Sequence, residues 1–315
     1  MPDNPKHRTT IGGQAVMEGI MMRGPQETAV IVRCEDGTLS RKDFPPSPKR
    51  KAGHPLKWPL VRGVYVFGSS LRLGYKALDY SASIIPEVEP DENSKIDRWL
   101  SKFNAETVQK VVMTIAMVLA VILSVGLFFL LPTLLTGWIG SYFAEDTLPW
   151  VKNITEGGVR LLILLGWLTL ASRMKDMKRV FAYHGAEHKV IACYEAGEPL
   201  TLENAQKQSR RHPRCGTSFL LVVVIVSVLV FSLVSWSNPW VRMGLRLALL
   251  PVVVAVSYEL NRLVGRYDNP VTRFFRAPGL WLQGLTTREP EDGMVEVGIE
   301  ALKAVLPEEQ GADKW

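Results

Sequence analysis

Cysteine is scarce in this chain. Only Cys34, Cys193 and Cys215 occur among 315 residues, too few and too scattered for a disulfide scaffold. The first thirty residues lack an apolar run, so no cleavable signal peptide is read there. Charge is absent from residues 111–144 and from 215–241, although Asp, Glu, Lys and Arg make up 22% of the chain. Uncharged apolar stretches of about 18 residues or more are long enough to cross a hydrocarbon core of roughly 30 Å. They argue against a purely soluble globular protein. A hydrophobic content of 47% argues equally against a disordered chain. Gly12-Gly13 lacks the strand–loop–helix setting and the Lys-Ser/Thr of a phosphate-binding loop, so no nucleotide site is read there. No internal repeat is visible.

What is present reads as four spans. The first is Val111–Thr136, and the second is the weaker Gly158–Ser172. The third is Ser218–Trp240, with Trp236 and Trp240 as interface anchors, and the fourth is Met243–Val264. Lys and Arg set the orientation. Residues 173–217 hold nine of them, and Arg262, Arg266, Arg273 and Arg276 follow at the fourth span's end or beyond it. Residues 137–157 hold Lys152 against Glu145, Asp146 and Glu156. The positive-inside bias puts both termini and the 173–217 loop in the cytoplasm, where three reduced cysteines fit.

The expected fold is mainly α: a polytopic α-helical membrane protein of about four transmembrane helices with a small N-terminal cytoplasmic α+β region. Its divisions are 1–55, an N-terminal region with a β-hairpin; 56–110, a basic amphipathic helical region; 111–172, transmembrane helices one and two; 173–217, a cytoplasmic loop; 218–264, transmembrane helices three and four; and 265–315, a cytoplasmic C-terminal tail whose last 30 residues are acidic and expected to be mobile. Residues 28–33 (TAVIVR) read as a strand, and Asp36-Gly37 as the turn before LSRKDF. Residues 12–25, GGQAVMEGIMMRGP, show neither helical nor strand period. Leu60–Ala82 carries apolar residues at helical spacing beside Arg62, Arg72 and Lys76. That pattern fits a helix on an anionic leaflet and equally a helix packed on the cytoplasmic domain. Membrane lipid is the expected partner, with other membrane proteins possible and no specific nucleic acid. Oligomeric state is not legible.

The segment Lys178–Thr217 carries the chemistry. A helix is expected over Asp176–Ala196, stopped by Gly197 and Pro199. On it His184 and His188 stand one turn apart on the same face, a spacing that lets two imidazoles grip one divalent metal. His184-Gly-Ala-Glu187-His188 has the H-x-x-E-H order of helical metalloproteases, with Glu187 placed as a general base. At least one further protein ligand is required. Glu195 lies on nearly the same stripe but about 10 Å further along the axis, which suits a supporting place. Cys193 points elsewhere. His212 and Cys215 follow a second helix capped by Thr201 and can fold back. Glu259, a carboxylate inside a span, is a functional candidate by default. It could arrive from far downstream as third ligand, or pair with Arg262 or Arg266.

GGQAVMEGIMMRGP, YHGAEHKVIACYEAGEPLTLENA and HPRCGTSF resemble the YqhQ-like family, from about Ile11 to Leu282. The resemblance implies a bacterial membrane protein of a family of unknown function, predicted to be metal-dependent enzymes; the spans and the histidine pair add a multi-pass chain of the inner membrane and a divalent ion, zinc in the first instance. Residue by residue it points to Glu18, Arg23, His184, Glu187, His188, Glu195, His212, Arg214 and Cys215. Two functions follow. One is a metal-dependent hydrolase at the cytoplasmic membrane face. The other is a non-catalytic scaffold or accessory factor for membrane-protein insertion, held by a structural metal or polar cluster.

Overall fold

The computed structural model describes residues 7–45, 54–85, 105–140, 149–233, 239–309 and 311–314. Glu145, Asp146, the anchor Trp236 and residues 86–104 of the expected 56–110 helical region lie outside these residues. Residues 12–44 form an antiparallel meander: β1 (Gly12–Val16), β2 (Gly19–Arg23), β3 (Thr28–Arg33) and β4 (Leu39–Phe44), paired in that order. Val16 pairs with Gly19, leaving Met17-Glu18 as a two-residue turn. The Asp-Gly turn lies where its residues suggest, with Gly37 at φ +83° and Asp36 accepting from the Thr38 N–H at 2.9 Å.

β2 and β3 are buried on both faces. Ile20, Met22, Ala29 and Ile31 enter one core, while Met21, Val30 and Val32 enter another with Phe44 and Ala77. A strand covered on both sides reads as an apolar run without alternation. The segment read as having no period is therefore a hairpin.

Helix α1 (Val61–Ile84) covers one face of the sheet. Next come α2 (Ala105–Val125), a π-turn at Gly126–Leu130 and α3 (Leu131–Gly140), followed by α4 (Pro149–Ala171) and α5 (Lys175–Glu195). The short α6 (Leu202–Lys207) leads to α7 (Gly216–Ser232), α8 (Pro239–Ala248), α9 (Leu250–Arg266), α10 (Pro270–Thr286) and α11 (Asp292–Lys303). The fold is mainly helical with a small N-terminal antiparallel sheet. Among the described residues two helices are long and apolar enough to cross a membrane, Lys110–Ile139 and Asn153–Ala171. The expected third span is an apolar helix of only 17 residues, Gly216–Ser232. The expected fourth is split into α8 and α9 beside Pro251.

The C-terminal segment is not a tail. In α11, Val295, Ile299 and Leu302 recur at helical spacing and are buried with Ile20, Met22 and Val190. Glu296 and Glu300 occupy the exposed face. The acidic composition hid an amphipathic helix, which with α5 covers the second face of the sheet. Residues near the two termini also meet: Thr10 N–H donates to Asp313 O and the Thr9 hydroxyl to the Asp313 carboxylate, each at 2.6 Å.

Within the helical bundle, Glu156 of α4 is 5% exposed. It accepts from Arg160 at 2.7 Å, from Arg246 of α8 at 2.8 Å and from the Thr133 hydroxyl of α3 at 3.2 Å. Both guanidinium groups lie over the Phe231 ring, at 5.0 and 5.6 Å. A buried carboxylate needs such partners, since an uncompensated charge in a low dielectric costs several kcal/mol. Sequence reading placed Glu156 in a loop and missed this network. The i,i+4 spacing of Glu156 and Arg160 was the available signal.

Candidate metal centre

α5 positions the centre. Gly197, at φ +67°, ends it with the Glu198 N–H returning to Cys193 O at 3.2 Å, a left-handed cap that satisfies late carbonyls. Midway along the helix a β-carbon on Gly185 would stand 2.0 Å from the Arg288 carbonyl oxygen. Glycine there lets the segment after α10 cross the helix, and the Arg288 N–H reaches Phe181 O at 2.8 Å.

His184 and His188 meet edge to face one turn apart, their ring centroids 4.4 Å from each other. His184 Nδ1 faces the Thr286 carbonyl at 2.8 Å and His188 Nδ1 the Arg210 carbonyl at 2.6 Å. A carbonyl only accepts, so each Nδ1 carries the proton and each Nε2 keeps its lone pair. One ring nitrogen of each histidine and Cys215 Sγ lie within 4.8 Å of one another. His184 Nε2 is 3.2 Å from the sulfur. Two imidazole nitrogens and a sulfur, with each outer ring nitrogen held by a carbonyl, form a donor set that suits zinc.

Cys215 is the N-cap of α7. Its sulfur accepts from the Thr217 N–H at 3.3 Å and lies 2.8 Å from the Thr217 hydroxyl. The backbone and the hydroxyl of Thr217 thus fix the position of the sulfur. Glu187 stands beside the trio. Its Oε2 is 3.9 Å from His184 Nε2 and 4.0 Å from His188 Nε2. Its Oε1 accepts from the Gly13 N–H at 2.9 Å. The side chains of Glu187 and His188 are 7% and 2% exposed, against 17% for His184, so the centre opens to solvent at His184.

The other predicted residues fall around this centre or away from it. His212 Nε2 meets Glu195 at 3.1 Å, and the His212 ring lies 5.8 Å from that of His188. Its backbone is held by Gln283 through two bonds of 2.9 Å. Arg214 also pairs with Glu195, and the Thr9 N–H donates to the same carboxylate at 2.8 Å. Burial would raise the Glu195 carboxyl, but His212 and Arg214 outweigh it and hold the group below the usual range. His212 therefore supports the centre from the side instead of joining the donor trio.

Glu259 does not reach the histidine pair. Both its oxygens are held by Arg62 of α1, which fastens that helix to α9. Proximity in sequence does not signal Arg62 as that partner, 197 residues away. Glu18 sits in the β1–β2 turn at φ +52°. Its carboxylate takes a two-pronged ion pair from Arg179, 2.6 Å on each arm, and a 3.2 Å bond from the Tyr183 hydroxyl. Arg179 holds the Glu18 carboxyl below its ordinary value. Arg23 ends β2 opposite Gly12 and Thr28. Thus Glu18 anchors the sheet to α5 one turn before His184.

Residues 58–308 match the family model described as "Protein of unknown function (DUF1385)". The chain is 36% identical over 304 residues to the uncharacterized protein YqhQ of Bacillus subtilis (strain 168), an alignment covering 96% of this chain and 94% of that relative. No solved structure matches it. A family match across most of the length, joined to a full-length relative of that identity, means that the chain belongs to the DUF1385 family.

Proposed function

We propose that this protein is a multi-pass enzyme of the bacterial cytoplasmic membrane, a metal-dependent hydrolase with its centre at the cytoplasmic end of the bundle and both termini on that side. Four crossings fit the Lys/Arg bias, with α8 and α9 serving together as the last. Outward-facing Ile122, Leu162, Leu170 and Leu229, each more than half exposed, suit a lipid surround better than water.

His184, His188 and Cys215 would hold a zinc-type ion. Such an ion, when bound, would polarise a water and lower its pKa toward about 7. Glu187 would take the water's proton on Oε2. Its other oxygen is occupied by the Gly13 N–H, which keeps the free oxygen turned to the histidines. The observation that carries the reading is this carboxylate, held beside the donor atoms at 3.9 and 4.0 Å but outside the trio.

Glu187→Gln separates catalysis from scaffolding. The amide keeps the size and some hydrogen bonding but takes no proton. Metal content and expression should stay near wild type, while complementation of a deletion strain falls about 10²-fold or more. Full complementation at normal expression would favour the scaffold reading.

A further inference from the structure

α1 changes neighbours along its length. Its later turns pack on the sheet. Ala77 is buried with Val16, Val30 and Val32, and the Ser81 hydroxyl donates to the Met17 carbonyl at 2.6 Å. Its first turns leave the sheet and run along the bundle. A β-carbon on Gly63 would stand 2.9 Å from Tyr258 Cβ and 3.0 Å from Ala255 Cα, so α1 and α9 touch closely there. Arg62 holds both oxygens of Glu259, and the Phe67 ring lies 6.1 Å from that of Phe219 in the first turn of α7. The residues reached on α9 lie inside the expected fourth span, Met243–Val264.

Leu60, Val64, Phe67 and Leu71 recur at intervals of four, three and four, the spacing of one helix face. They are exposed by 48%, 39%, 38% and 61%. Arg62 is the one charged residue between Val61 and Leu71, and its charge is matched by Glu259. Arg72 and Lys76, both exposed, come only after the stripe has ended. The neighbouring helices are bare in the same way, with Leu260 and Leu263 exposed on α9 and Leu220 and Ile225 on α7.

We propose that the first three turns of α1, Val61–Leu71, stand in the acyl chains of the cytoplasmic leaflet beside α9, while the turns from Gly74 onward hold the sheet below the membrane surface. The proposal rests on the membrane reading given above. In that reading lipid already surrounds α7 and α9, so an apolar stripe fastened to their flank meets the same acyl chains. The long stems of Arg72 and Lys76 then carry their charges to the headgroups. Through Gly13, which bonds Glu187, the sheet is tied both to the leaflet and to the centre.

The test is photo-crosslinking of the full chain in cell membranes, with p-benzoylphenylalanine placed singly at Val64, Leu71, Ile122 and Leu39. Mass spectrometry of the purified chain identifies each adduct. Ile122 on α2 reports on the membrane reading. Leu39 on β4 is as exposed as Val64 but stands at the other end of α1, where Ser40 meets Tyr80 at 2.6 Å. Phospholipid adducts are expected at Leu71, Val64 and Ile122, and none at Leu39. If the Leu71 variant fails to fold, the Val64 variant carries the test. A protein adduct or a crosslinked dimer at Val64 and Leu71 in place of lipid would overturn the proposal, as would equal lipid labelling of Leu39. A lipid adduct at Ile122 with none at Val64 or Leu71 overturns this placement alone. No lipid adduct at any of the positions overturns the membrane reading and the placement together.

Discussion

The backbone N–H of Gly13 donates to Glu187 Oε1 over 2.9 Å, joining β1 to the middle of α5 across 174 residues of sequence. The approach depends on glycine. A β-carbon at residue 13 would stand 2.8 Å from Glu187 Cγ and 2.9 Å from the Met21 carbonyl oxygen. Gly13→Ala is expected to push Glu187 aside and to lower stability by about 1–3 kcal/mol. Gly12→Ala, with nothing within 4 Å of its added carbon, should behave like wild type. Thermal unfolding in detergent, with complementation in parallel, checks both; equal behaviour of the two variants would remove the special role of Gly13.

Metal content sorts the ligands. His184→Ala, His188→Ala and Cys215→Ala should each lose bound zinc, because their donor atoms lie within 4.8 Å of one another. Glu259→Gln should keep it, since that carboxylate belongs to Arg62. Elemental analysis of purified variants decides the matter. A full metal equivalent in both histidine variants would end the metal hypothesis, and loss of metal in Glu259→Gln would restore Glu259 as a ligand.

Removing the acid from the bundle network should be costly. Glu156→Ala leaves Arg160 and Arg246 buried, at 5% and 2% exposure, without their shared counter-charge. A loss of about 3–5 kcal/mol is expected, read as a large drop in the melting temperature in detergent. Adding Arg246→Leu should recover part of it, because one uncompensated cation is then gone. A change under about 1 kcal/mol in the single variant would mean that water reaches the site.

Acid should loosen the Glu195 cluster. The folded carboxyl is held below the ordinary value of 4.5, so the unfolded chain binds the proton more readily. The stabilisation is then complete above about 4.5 and is lost as pH falls through the lowered folded value. Melting temperature should fall with pH on the acid side of that point, and less steeply in Glu195→Gln. Parallel slopes in the two proteins would show that Glu195 is not responsible.

Periodicity made some of this readable. TAVIVR, the Asp36-Gly37 turn and the helix ending at Gly197 all announce themselves locally, because propensity and turn chemistry agree there. The i,i+4 histidines are legible for the same reason. The β1–β2 hairpin was not, since its inner strand is covered on both faces and alternation vanishes. The last helix was hidden by its acids. Long-range pairing is the other gap: nothing in sequence says that Arg62 claims Glu259, or that the carbonyls of Thr286 and Arg210 orient the two imidazoles. Such partners are chosen by the packing of distant elements.

The sheet is sealed by a helix made long after its strands. β3 is complete at Arg33, yet the face it shares with β2 is closed only when α11, beginning at Asp292, packs there. At a synthesis rate of ~5–20 residues per second, the roughly 260 residues between them take on the order of 13–50 s to emerge. During that interval Ile20, Met22 and Ile31 stand without their final cover while the bundle helices are still being made. A ribosome-associated chaperone or the insertion machinery has that long to shield a sticky sheet face. Chains truncated before α11 should therefore be cleared by proteases rather than accumulate.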